Sequence, residues 1–167
     1  KFKSANKTDY YFYEYPTYED IKQSDLRIAY LGYYMHDWYG YKNAELAIKN
    51  GLKIRNDKPI STGDLWGVSA LDDDFVILNQ HFKYLKYGFG KVTDQVCESI
   101  HQGLMTREEA VDLVKKYDGR CSKKYINFFC NYIGISLKTY EQTVDKMVNK
   151  KLFKKVNNIW VPKFKVY

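Results

Sequence analysis

Apolar residues recur at Phe75, Leu78, Phe82 and Leu85 within DDDFVILNQHFKYLKYG, the spacing of one face of a helix. Three acids open that segment, at the end where they complement the helix dipole, and Gly88 closes it. A second helix is predicted from about Thr93 to Gln102, stopped by Gly103. Thr106-Arg-Glu-Glu109 has capping-box spacing and predicts a third, through Lys116, ended by Gly119. Ser122 and Ser136 are read as caps of two more, with Gly134 between them. The tail LFKKV, Asn157-Asn158, IWVPKF changes period and predicts a small hairpin around a two-residue turn.

Before residue 71 the pattern is different. Residues 1–20 are polar and aromatic without a period and read as a connecting arm. Leu26–Gly32 is a short apolar run rich in β-formers, which predicts a buried strand of a parallel sheet. Such a strand needs neighbours, so the run points to a chain that is part of something larger. The start at Lys1, with neither Met nor the apolar core of a signal peptide, leads to the same expectation. Asn43 is read as the cap of a short helix, AELAIKN, stopped by Gly51, followed by a loop from Asn56 to about Ser69. The expected organisation is an arm over 1–24, the end of an α/β domain over 25–70, and a helical domain with its hairpin over 71–167.

Composition narrows the classes. With 27 Lys and Arg against 20 Asp and Glu the net charge is +7, a surface that attracts phosphates of any kind. Tyr accounts for 17 of 167 residues, and each offers a flat apolar face with one hydroxyl, suited to sugars, bases and proteins alike. An AT-rich genome, through its Lys and Tyr codons, would produce both biases without function. The three cysteines, Cys97, Cys121 and Cys130, have no CxxC spacing, which fits a reducing cytosol better than a disulfide scaffold and gives no zinc signature. No apolar run approaches the roughly 20 residues of a spanning helix.

The segment from Lys83 to Asp94 is the richest in candidate chemistry. Gly88 and Gly90 let the backbone approach a ligand, Lys86 and Lys91 frame them, and the next helix is expected to offer unpaired N–H groups near Thr93, an arrangement suited to phosphate or pyrophosphate. It is not a Walker A loop, because Leu85 stands five before Gly90 and Val92 follows the lysine. The competing reading makes Gly88 a helix C-cap and Gly90 a turn residue. His81 lies on the same helix as Lys86 and is a candidate acid, base or phosphate contact. His36 and Asp37 follow the predicted strand, where open α/β sheets place their ligands. His101 is read as structural, Asp72, Asp73 and Asp74 as dipole partners rather than metal ligands, and Phe75, Phe82, Phe128 and Phe129 as core.

Four stretches, in order, resemble the N-acetyl sugar amidotransferase family of surface-polysaccharide biosynthesis. They are Tyr30-Leu-Gly-Tyr33 through Trp38; Asp72–Asp74 with His81 to Lys91; Gly103-Leu-Met-Thr-Arg-Glu-Glu-Ala110; and Lys116-Tyr-Asp-Gly119. The resemblance covers about residues 25–135 and implies the C-terminal part of an ATP-pyrophosphatase-type fold, an α/β class in which this portion is mostly helical. It implies an enzyme that adenylylates the oxygen of a sugar N-acetyl group with ATP and Mg2+, then lets ammonia displace AMP to leave an acetamidino group. The implied partners are a sugar or nucleotide sugar, a glutaminase resembling a histidine-biosynthesis subunit, and a cyclase-like subunit that channels ammonia, all in the cytoplasm. The family's SGGxDS pyrophosphate loop does not occur in these residues, so ATP is expected to be held mainly outside this chain. Within that frame Lys86 and Lys91 are the catalytic candidates, stabilising the departing pyrophosphate. Lysine at 91, where the family pattern has arginine, keeps the charge but loses the bidentate fork. His36, Asp37, His81, Gly88, Gly90 and Thr93 are the candidate contacts to sugar or nucleotide, while Arg107 and Glu109 match the family at a helix start where capping already accounts for them.

Two rival classes remain open from the sequence. Basic charge, short capped helices and a terminal hairpin are also the parts of a winged-helix nucleic-acid module, although no helix carries a dense Lys/Arg face. The arm and bundle are also compatible with an assembly domain without chemistry of its own.

Overall fold

The structure is a computed structural model that describes residues 6–167, so residues 1–5 of the expected arm lie outside the described residues. The chain divides into two units, one ending at Trp38 and one running from Tyr39 to Tyr167.

In the first unit a 3₁₀ helix, Lys7–Tyr13, precedes α1, Tyr18–Gln23, and a second 3₁₀ turn covers Leu31–Tyr34. Thr17 and Asp20 close a capping box on α1: the Thr17 N–H donates to Asp20 Oδ2 at 3.0 Å, and the Asp20 N–H donates to Thr17 Oγ1 at 3.2 Å. The strand expected at Leu26–Gly32 is not formed, and Leu26 and Ile28 are 61% and 71% exposed. A strand must spend its backbone donors and acceptors on neighbours. Among the described residues the sheet is limited to the two-stranded C-terminal hairpin, so this run has β-forming side chains and no ladder to join. The parallel sheet expected from it is accordingly absent among the described residues, and the observed class is mostly helical with a small antiparallel hairpin.

The second unit holds α2, Gly40–Lys49; α3, Pro59–Thr62; α4, Phe75–Tyr87; α5, Lys91–His101; α6, Arg107–Tyr117; α7, Lys123–Ile133; and α8, Leu137–Met147. Helix α2 starts three residues before the expected cap because the Gly40 N–H donates to the Glu98 carboxylate on α5, which leaves Asn43 inside the helix. The expected loop at 56–69 contains α3, opened by Pro59 in the first turn and closed by left-handed Gly63. Helix α6 carries the expected capping box, with Thr106 and Glu109 donating to and accepting from each other. Ser136 caps α8 by accepting from the Thr139 N–H at 3.1 Å, whereas Ser122 at the start of α7 makes no side-chain cap bond.

Two clusters form the interior of this unit. Helix α4 contributes Leu78 and Leu85, α7 Cys130, α8 Tyr140 and Val144, followed by Val148 and Phe153. Val92 and Val96 of α5 and Ala110 of α6 form the second. Of the aromatics expected in the core, Phe82 and Phe129 pack against the first cluster, while Phe128 is half exposed and stacks on Phe75 at 5.4 Å. The hairpin forms as expected, β1, Phe153–Val156, pairing antiparallel with β2, Ile159–Pro162, through Asn157 and Asn158. Both turn residues have positive φ, 48° and 62°, the left-handed pair that Asn tolerates best among residues with a side chain. No helix of the described residues is long and apolar enough to cross a membrane.

Phe153 is 1% exposed and ties the hairpin to α4 and α8. Truncation of a buried Phe costs about 3–5 kcal/mol. Phe153→Ala is therefore expected to lower the urea-unfolding free energy by about that amount, against less than about 0.5 kcal/mol for exposed Lys154→Ala, in parallel equilibrium denaturations.

Candidate functional site

Helix α5 begins at a glycine and so has no side chain of its own to cap it. Its first amides nevertheless have a partner. Asp118, the residue after α6, is 7% exposed and turns its carboxylate onto the start of α5. The Gly90 N–H donates to Asp118 Oδ2 at 2.8 Å, and the Val92 and Thr93 N–H groups donate to Oδ1 at 3.1 and 3.4 Å. The Thr93 hydroxyl completes the set, donating to Oδ2 at 2.7 Å. These are the amides that a local N-cap would satisfy, here reached by an anion 25–28 residues away, at the positive end of the dipole.

This corrects the expectation that α5 offers unpaired N–H groups to a phosphate. Gly90 is needed for the approach of Asp118: a Cβ there would lie 2.7 Å from Asp118 Oδ1. Gly88 is the left-handed C-cap of α4, its N–H donating to the Tyr84 carbonyl at 2.8 Å. Lys86 is exposed on the last turn of α4 and Lys91 is half-buried at the first position of α5, and neither forms a salt bridge among the described residues. The neighbouring Lys83 is engaged, donating to Asp94 at 2.5 Å and lying 4.5 Å over the Phe89 ring. His36 and Asp37 are exposed in the first unit, where neither forms a hydrogen bond or ion pair among the described residues.

Around Asp118 the backbone is held from a second side. Gly119 has φ 69°, and a Cβ there would fall 2.2 Å from the Tyr84 ring, so the turn requires glycine on both counts. His81 Nδ1 lies 2.7 Å from the Gly119 carbonyl oxygen. A carbonyl only accepts, so Nδ1 carries the proton and Nε2 of the neutral ring keeps its lone pair. Burial pushes the His81 imidazole below its usual range, opposed in part by the Gly119 carbonyl. The ring is thus held neutral in one tautomer.

His81, Tyr84, Asp118 and Gly119 form one wall of a cleft of about 750 Å³ whose other walls come from α7, α8 and the hairpin. Arg120, Lys123, Lys138 and Lys155 bring positive charge to it, Glu141 and Asp145 negative charge, and Tyr140 and Trp160 aromatic surface. Asp145 is committed: it accepts from Lys155 Nζ at 2.6 and 2.8 Å and from the Trp160 indole N–H at 2.9 Å. Cys121 also lines the cleft, but burial raises its thiol to about 12, which leaves it protonated and a poor nucleophile.

A second polar network shapes the segment before α4. Asp64 Oδ1 accepts from the Trp66 N–H at 3.0 Å and from Gln95 Nε2 at 2.6 Å, and Gln95 Oε1 accepts from the Leu65 N–H at 2.9 Å. Arg55 pairs with Asp74 and donates to the Ala70 carbonyl at 2.5 Å. Asp73 Oδ1 accepts from the Phe75 N–H at 2.8 Å, so two of the three acids before α4 have structural partners. Sequence reading assigned no role to Asp118, Asp64, Gln95 or Arg55. The available signal was indirect: a helix predicted to begin close after Gly90 needs its first amides satisfied, and no Ser, Asn or Asp stands just before it to do so.

Compared with known families, residues 69–165 match the model described as LPS biosynthesis protein WbpG-like, C-terminal domain. That span contains His81, Lys86, Lys91, Asp118 and the hairpin, and excludes His36 and Asp37. Among curated proteins none matches the chain.

Two measurements check this geometry. Asp118→Asn keeps the shape but removes the charge-assisted cap, and is expected to destabilise by about 1–3 kcal/mol in chemical denaturation, with a reduced effect in a Thr93→Val background because the two share a bond. The His81 sign follows from its lowered folded pKa: the unfolded chain takes up the proton first, so stability is lost as pH falls below about 6.5. Denaturation at pH 7 and pH 5 is expected to show a smaller loss for His81→Gln than for the parent chain.

Proposed function

The chain belongs to the family of WbpG-like LPS biosynthesis proteins, as their C-terminal domain, and we propose that it is the C-terminal part of an ATP-dependent N-acetyl sugar amidotransferase. The single observation that carries this reading is the family match over residues 69–165, which takes in the whole Gly88–Lys91 segment and the Asp118 junction that supports it. The motif order from His81 to Gly119 supports the finer assignment.

In the proposed reaction the oxygen of the N-acetyl group leaves with AMP after adenylylation and pyrophosphate release, and ammonia supplies the nitrogen of the acetamidino product. A glutaminase partner is the proposed source of ammonia, reached through a cyclase-like subunit. The residues here do not make a nucleotide cradle, since Asp118 already occupies the amides at the start of α5. ATP with Mg2+ is therefore assigned to residues outside this chain. What this chain brings is charge: Lys86 and Lys91 stand beside a rigid glycine turn without a carboxylate partner, and cations fixed near a departing pyrophosphate favour its release. His81 is assigned to the sugar side, as a neutral acceptor rather than a proton donor.

The test is acetamidino-sugar formation, followed by mass spectrometry, in cells lacking the native gene and supplied with the complete protein. Lys86→Ala/Lys91→Ala is expected to lower product at least tenfold while the purified variant unfolds at the parent temperature. Product at the parent level would remove the pyrophosphate role from both lysines.

A further inference from the structure

The cleft beside Asp118 gathers further polar, charged and aromatic groups around the His81 ring already assigned to the sugar. Two hydrogen-bonding groups there are of opposite sense, one half-buried and one buried. His81 presents Nε2 as an acceptor because Nδ1–H is spent on the Gly119 carbonyl. Tyr140 is 6% exposed, and its hydroxyl is buried with no hydrogen-bond partner among the described residues. Leaving such a hydroxyl unpaired is costly, so a site that retains it gains from any acceptor brought into the cleft.

The cleft is also cationic. Arg120, Lys123 and Lys138 form no salt bridge among the described residues, and the Arg120 Nε–H bonds the Lys116 carbonyl at 3.0 Å, which steadies the guanidinium. Of the acids there, Asp118 is spent on α5 and Asp145 on Lys155 and Trp160, leaving Glu141 as the counter-charge without an ion pair. Helix α7 starts at the lining residue Lys123, and its N-cap Ser122 makes no side-chain cap bond. The third component is aromatic: Trp160, with its indole N–H fixed by Asp145, and Tyr84 line the same space and suit the apolar face of a sugar ring.

We propose that this cleft is the binding site for a sugar bearing a phosphate or diphosphate. Arg120, Lys123 and Lys138 neutralise the anion, the Tyr84 and Trp160 side takes the ring, and His81 and Tyr140 supply one acceptor and one donor for its hydroxyl or acetamido groups. Naming a sugar rests on the family reading above, while the anion preference rests on the cleft itself. The site is distinct from the Lys86 and Lys91 role and needs neither ATP nor a partner to be measured.

Isothermal titration of the chain, with UDP-N-acetylglucosamine, N-acetylglucosamine 1-phosphate, N-acetylglucosamine and inorganic phosphate as probes, separates the components. Saturable binding of at least one phosphorylated sugar is expected, at least tenfold tighter than either phosphate or the free sugar alone. Arg120→Glu/Lys123→Glu, both exposed positions, is expected to weaken it at least tenfold, whereas Lys154→Ala, exposed and outside the cleft lining, leaves it unchanged. A nucleotide source is indicated if the UDP sugar binds tighter than the 1-phosphate, and a general glycosyl phosphate if the two bind alike. The proposal is overturned if no phosphorylated sugar saturates the chain, if phosphate alone binds as tightly, or if the charge-reversed variant binds like the parent. Loss of this binding with acetamidino synthesis intact would sink the cleft alone; intact binding with no synthesis would sink the amidotransferase reading alone.

Discussion

The arrangement of the second unit depends on one buried carboxylate. Asp118 stands after α6 and satisfies the first amides of α5, so the end of one helix is fastened to the beginning of the one before it. An anion at a helix N-terminus gains from both the free donors and the dipole, and away from water each of those hydrogen bonds is worth more than at the surface. The same turn brings Gly119 against Tyr84 and its carbonyl onto His81, so α4 is tied to the junction by packing and by one directed hydrogen bond. The stretch 118 to 120 that follows α6 thus meets three other helices, α5 at Asp118, α4 at Gly119 and, through Gly63 at its end, α3 at the Arg120 carbonyl.

That junction decides how the candidate chemistry is distributed. The glycine segment before α5 has the composition of a phosphate loop, yet its donors face an internal anion, and the two flanking lysines are left as charges near a closed turn. Residues 118 to 120 also line the cleft shared with α7, α8 and the hairpin. The hairpin is positioned by Phe153 in the core and by the Asp145 contacts to Lys155 and Trp160, which are surface interactions worth little in stability but able to set where the indole lies.

Much of the second unit was legible in the linear sequence. The helical period of Phe75, Leu78, Phe82 and Leu85, the Thr106–Glu109 box, the Ser136 cap and the Asn157-Asn158 turn are local signals, each read within a few residues, and each formed where expected. The apolar run at 26–32 was misread because strand formation is not local: β-forming side chains need a ladder, and none of the described strands offers one. Phe128 was misassigned for a similar reason, since which side of α7 faces the core depends on where α4 and α8 lie.

The sequence by itself determined where α4 to α8 and the hairpin form, where most of them stop, and, through motif order, the family to which the chain belongs. Those features depend on neighbours within one or two turns of chain. Only the tertiary structure decided what the polar residues do. Asp118 is 28 residues from the Gly90 amide it caps, and His81 is 38 residues from the carbonyl that fixes its tautomer, separations over which no local pattern carries information. Gly90 owes its place to the close approach of Asp118, and the cleft owes its charge to residues from helices that meet only once the chain has folded.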